Sequence, residues 1–93
     1  MTKAARTLEQ IEKTAATFFI SDLELAMTLT RIASNASEDS EKRIRNQANA
    51  RHAYDDISRM SNTALLTDEE RREVDNRLEE LRSALQQLGE DLT

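Results

Sequence analysis

The side chains able to do chemistry are few and scattered along the sequence. His52 is the only histidine and there is no cysteine, so the ligand pairs of a zinc or di-iron site cannot be assembled. Helical spacing groups His52 with Lys42, Arg45 and Asn49, a solvated face rather than a site. Asp22 and Glu24 interrupt the most apolar stretch, Ala15 to Met27. Asp22 shares a seam with Phe18, Leu25 and Leu29, where a carboxylate is either an acid of altered proton affinity or a paired group that fixes helix register. The expectation is pairing, with an arginine or with the Tyr54 hydroxyl. The basic run Lys42, Arg43, Arg45 and Arg51 is balanced by acids at i,i+4: Glu38–Lys42, Asp39–Arg43, Glu41–Arg45 and Arg51–Asp55. There is no Gly-rich phosphate loop, nucleophile elbow or calcium loop. The reading is a protein that is not an enzyme, with no catalytic, cofactor-binding or metal-ligating residues.

The elements that would position any such residue are helices. The 93 residues include no proline and one glycine, Gly89, whereas a sheet protein needs more turn residues. No run approaches the ~20 apolar residues that span a bilayer, and Ala15 to Met27 lies too far in and is too charged for a secretory signal. A cytoplasmic protein of one domain, residues 1–93, is expected, with 1–6 and 90–93 as fraying ends. The net charge of −5 is uneven: residues 1–36 carry four basic and four acidic groups, residues 37–63 five and five, and residues 64–93 four and nine. Without a basic face, nucleic-acid binding is disfavoured.

The spacing predicts an all-α, up-down-up antiparallel bundle with helices over about 7–34, 38–61 and 68–88. In the third, Thr67-Asp68-Glu69-Glu70 forms a capping box, Val74, Leu78, Leu81, Leu85 and Leu88 form one seam, Glu73–Arg77 is an i,i+4 pair, and Gly89 stops the helix. In the second, Ser37 is the expected N-cap, and Ile44, Ala48, Ala50, Ala53, Tyr54, Ile57 and Met60 are the expected inward positions. Leu65 and Leu66 should fold back over the open end of the bundle. The first helix starts near Thr7, with Gln10 at capping-box spacing, or a turn earlier. One of its seams runs Leu8, Ile11, Ala15, Phe18, Asp22, Leu25, Leu29 and Ile32. A second set, Ala16, Ile20, Leu23 and Met27, lies on another face, and Phe19, Ala26 and Ala33 fill the angle between. A helix apolar around most of its circumference is either central or binds something more.

The stretch Leu25-Ala26-Met27-Thr28-Leu29-Thr30-Arg31-Ile32-Ala33, followed by Ala50-Arg51-His52-Ala53-Tyr54-Asp55-Asp56-Ile57, resembles the helical hairpin of tetratricopeptide-type proteins. In that likeness Ala50 is the small packing residue, Tyr54 the aromatic four positions on, and the helix after Leu66-Thr67-Asp68-Glu69-Glu70 the solvating helix that closes an array. The family's helix A glycine and the proline after its helix B are absent, and no ~34-residue period recurs. The chain also resembles small bacterial helical-hairpin proteins of unassigned function. The resemblance implies a hairpin fold and, by analogy, protein–protein interaction.

The leading expectation is a module for interaction with another protein or for homo-oligomerisation, with Phe19, Ile20, Leu23 and Met27 as its docking face. The alternative is a small-molecule binding protein with a cleft near Phe18, Asp22 and Tyr54.

Overall fold

The computed structural model describes the backbone of residues 3–92 and the side chains of residues 15–92. Three helices pack against one another: α1 (Lys3–Asn35), α2 (Glu41–Ser61) and α3 (Asp68–Gln87). The first starts a turn before Thr7; the side chains of the Thr7–Gln10 capping pair lie outside the described residues. The grooves that pair Ala16 and Ile20 with Glu69 and Glu73, and Thr30 and Ser34 with Ala84 and Gln87, and the hydrogen bonds Arg71–Ser61 and Gln47–Glu90 fix the directions. They set α3 parallel to α1 and antiparallel to α2, as an up-down-up bundle requires.

One stripe of α1 forms its share of the core: Ala16, Phe19, Leu23, Ala26, Thr30 and Ala33 are all buried, at spacings of 3, 4, 3, 4 and 3. The stripe mixes small and large side chains. It meets Ala50 and Ile57 of α2 and Val74, Leu81 and Leu85 of α3, with Ala53, Tyr54 and Leu78 packed around them. Alanines on α1 and α2 let those helices approach closely, and the leucines of α3 fill the remaining volume. Thr30 is the polar member, and its hydroxyl donates to the Met27 carbonyl at 2.7 Å, so the core holds no orphaned donor there.

The burial pattern corrects the division of α1. The seam containing Phe18, Asp22, Leu25, Leu29 and Ile32 is not the core stripe: Phe18 and Leu25 are 53% and 57% exposed. The residues expected as a surplus face and its filling are the ones that pack inside. Hydrophobicity alone does not separate the two seams; the volume left by α2 and α3 does. On α2, Ala50 and Ile57 are buried as expected, but Ile44 is 61% exposed, Ala48 is exposed and Met60 is partly so. Thirteen residues separate Ile44 from Ile57, which turns it about 140° away from the core.

The connections also differ in detail. The N-cap of α2 is Ser40, not Ser37: its hydroxyl accepts from the Arg43 amide at 3.1 Å and donates to the Ser37 carbonyl at 2.8 Å. Ser37 instead opens the turn that Ser40 closes, and Glu38 and Asp39 precede the helix, outside i,i+4 helical spacing with Lys42 and Arg43. Thr67 and Glu70 do form the reciprocal capping box, at 2.9 and 3.1 Å. Leu66 packs against the core, but its neighbour Leu65 is 93% exposed. At the end of α3, Gly89 takes φ +100°. The Gly89 and Glu90 amides bond back to the Gln86 and Leu85 carbonyls, a Schellman closure that needs a residue free to adopt positive φ. The tail expected to fray is held: Glu90 accepts from Gln47 and Arg51, the Leu92 carbonyl accepts from Arg82, and Leu92 packs on the core. Thr93 lies outside the described residues.

Removing the true cap should therefore cost more than removing the expected one. Chemical denaturation of Ser40→Ala should show a loss of about 1 kcal/mol, and Ser37→Ala a change below about 0.5 kcal/mol.

Candidate functional site

The outward face of α1 is the least ordinary surface of the bundle. Its charged residues within Ala15–Asn35 are Asp22, Glu24 and Arg31. Glu24 turns to α3, where Arg77 bridges it at 3.0 Å and Glu73 at 2.9 Å, and Arg31 lines the same interhelical groove with Arg77 and Glu80. The hydrogen bond from Arg77 to Glu73 holds the guanidinium proton affinity above its ordinary value. Beyond that groove the outward face presents Phe18, Ser21 and Leu25, with Thr17 and Thr28 at its α3 margin and Leu29 and Ile32 half-buried beside them. Among the described residues this strip carries a single charge, Asp22, in a chain that is 33% charged. A solvated helix face ordinarily carries alternating charges.

Helix geometry makes the strip continuous. Phe18 and Leu25 stand seven residues apart, two turns along one face. The Phe18 ring leans edge-on against Phe19, with centroids 6.0 Å apart at 66°, so one ring anchors in the core while its neighbour is presented outside. Asp22 lies between Phe18 and Leu25 and is half-buried. Neither an arginine nor the Tyr54 hydroxyl bonds to it among the described residues, so the expected pairing is not formed. In sequence the same spacing continues back through Leu8 and Ile11, whose side chains lie outside the described residues.

The expected docking face is corrected by burial. Phe19 and Leu23 are core residues with at most 5% exposure, and Ile20 and Met27 are half-buried against that core. Phe19 and Leu23 present no free apolar surface, whereas Ile20 and Met27 line shallow grooves beside α3. Of the residues of the expected cleft, Phe18 faces outward, Asp22 is half-buried on α1 and Tyr54 packs against the core from α2.

The remaining candidates resolve into structure. His52 is exposed and borders a shallow groove with Ile44, Gln47, Arg51 and Glu90. Arg51 is occupied: it bonds Asp55 at 3.2 Å and Glu90 at 3.1 Å. The Asp55 hydrogen bond is the main reason its proton affinity is raised. Arg71 was not singled out by sequence, yet it donates to the Ser61 carbonyl at 2.8 Å and more weakly to the Ala64 carbonyl, closing the C-terminal end of α2. The outward strip itself had a readable signal in the sequence. Glu24 and Arg31 recur seven residues apart on the α3 side, with Thr28 beside them, while Phe18 and Leu25 recur seven apart on the outer side.

No family model, curated protein or solved structure matches the chain.

Replacing Arg71 tests the α2 closure. Arg71→Ala should lose about 1–3 kcal/mol in chemical denaturation, because the Ser61 carbonyl loses its partner at a buried residue. The exposed neighbour change Arg72→Ala should stay within about 0.5 kcal/mol.

Proposed function

We propose that this protein is a helical interaction module whose contact surface is the outward strip of α1, from Thr17 to Ile32. The observation that carries the reading is the exposure of Phe18 and Leu25 two turns apart on one face, with Ser21 beside them and Asp22 as the one charge between them. Isolated exposed apolar residues such as Ile44 or Leu65 are ordinary on a folded surface. Two large ones at heptad spacing, with a single charge between them, make a stripe that another helix can cover. Short hydroxyl side chains allow close backbone approach at the margins, and a phenylalanine braced by a core phenylalanine is an anchor of fixed geometry. The likeness of α1 and α2 to a tetratricopeptide-type hairpin supports the same class of role by analogy.

A photo-crosslinking amino acid placed at Ser21 in the expressing cell should capture a protein through this face. One placed at Arg72 on α3 should not. The Ser21 adduct should disappear when Phe18→Glu is added, with the helical circular-dichroism signal unchanged. An absence of adducts at Ser21, or adducts that persist in Phe18→Glu, would remove the reading.

A further inference from the structure

The chain past α3 does not trail into solvent. It reverses at Gly89, whose φ of +100° turns it back with open space where a Cβ would stand, and it is gripped from two helices. From α2, the Gln47 side-chain amide donates to one Glu90 carboxylate oxygen at 2.7 Å and the Arg51 guanidinium to the other at 3.1 Å. Arg51 also reaches the Asp91 carbonyl at 3.4 Å. From α3, Arg82 donates to the Leu92 carbonyl at 2.9 Å, and the Leu92 side chain packs on the core. The tail therefore braces the second helix against the third.

We propose that residues 90–92 are a strap that swings from the turn at Gly89, opening and closing between α2 and α3 while the three helices stay packed. The Glu90 carboxylate is its latch.

Three observations carry this. Opening strands no charge, because Arg51 keeps a second partner on its own helix: its Nε lies 3.2 Å from both carboxylate oxygens of Asp55. The Arg51 and Glu90 side chains are 34% and 26% exposed, so water replaces the contact each loses. A latch sealed from water would carry the full desolvation penalty and would open only with the whole bundle.

The core, in turn, does not rest on the strap. Its largest fully buried side chains, Leu23, Ile57, Val74, Leu81 and Leu85, all belong to the three helices, whereas Leu92 is half-buried. One partly buried apolar contact and a few partly exposed hydrogen bonds place a segment at the low end of local stability. The end of α3 also closes without the latch. The Gly89 and Glu90 amides bond to the Gln86 and Leu85 carbonyls, and neither bond uses the Glu90 side chain.

The strap has something to cover. Glu90 forms one wall of the shallow groove bordered by Ile44, Ala48 and His52, and Ile44 is already 61% exposed. Opening removes that wall and bares the core surface under Leu92. The strap thus sets how much apolar surface α2 and α3 present, and because its latch is a partly exposed ion pair, ionic strength sets the strap.

Methyl NMR of the full chain reads this directly, with Leu92 reporting on the strap and Leu23 and Leu81 on the core. Raising sodium chloride from about 0.1 M to about 1 M shortens the screening length from about 10 Å to about 3 Å. The Leu92 methyl signals should move toward the positions of a free leucine, while those of Leu23 and Leu81 hold theirs. Glu90→Lys turns the attraction to Arg51 into repulsion and should complete the same movement at low salt. The salt series on the wild type gives its answer independently of the variant's stability. Leu92 signals that keep their positions in folded Glu90→Lys would overturn the latch. Leu23 and Leu81 signals that move together with Leu92 in the salt series would overturn the strap as a unit that opens on its own.

Discussion

The structure depends on how closely α1 can approach α2. Three of the buried positions of α1 are alanines, Ala16, Ala26 and Ala33, and they alternate with Phe19 and Leu23. They share the core with Ala50 of α2. Small residues on both helices bring the backbones together, and dispersion contacts accumulate where the surfaces interlock. The third helix then supplies the bulk that the first two lack, through Val74, Leu81 and Leu85. Exchanging the two seams of α1 would drive Leu25 and Ile32 into the spaces of Ala26 and Ala33, and Asp22 into that of Leu23. That volume conflict, together with the cost of burying the Asp22 carboxylate, selects the inner face and leaves Leu25 and Ile32 on the outer one.

With so small a core, the helix ends carry a visible share of the organisation. Ser40 and Thr67 satisfy the first amides of α2 and α3, Gly89 closes α3, and Arg71 and Arg82 donate to carbonyls at the end of α2 and in the C-terminal tail. Each such contact is worth about 1 kcal/mol, modest beside hydrophobic burial. Their effect is to fix where chain direction reverses, and hence which stripe of each helix turns inward. Arg51 and Gln47 do the same for the tail by holding Glu90.

Local features were legible in the sequence where one physical signal acted alone. The capping box at Thr67, the seam from Val74 to Leu85 and the glycine stop at Gly89 follow from spacing and residue type, and the three-helix bundle follows from those elements. Legibility failed where two local solutions competed. Ser37 and Ser40 are both good caps followed by acidic residues, and the turn between them decides. On α1, two apolar seams satisfy the same periodicity, and the choice rests on the volumes of α2 and α3, which no window along α1 contains. Ile44 was assigned inward because it is apolar, although its angular distance of about 140° from Ile57 argued otherwise. The candidate site follows the same logic: α1 does carry apolar side chains outside the core, but they are Phe18 and Leu25 and not Phe19 and Leu23.

Leu23 and Leu25 offer the most direct test, being the same residue type two positions apart on one helix with exposures of 0% and 57%. Thermal unfolding of Leu23→Glu and Leu25→Glu, followed by circular dichroism at high dilution, compares the two faces. The account predicts that Leu23→Glu abolishes or severely weakens the cooperative transition, since it buries an uncompensated carboxylate. It predicts that Leu25→Glu folds with a midpoint close to that of the wild type. Equal losses, or a Leu25→Glu that unfolds while Leu23→Glu survives, would mean that the outward seam is the true core and that the strip assigned to docking does not exist.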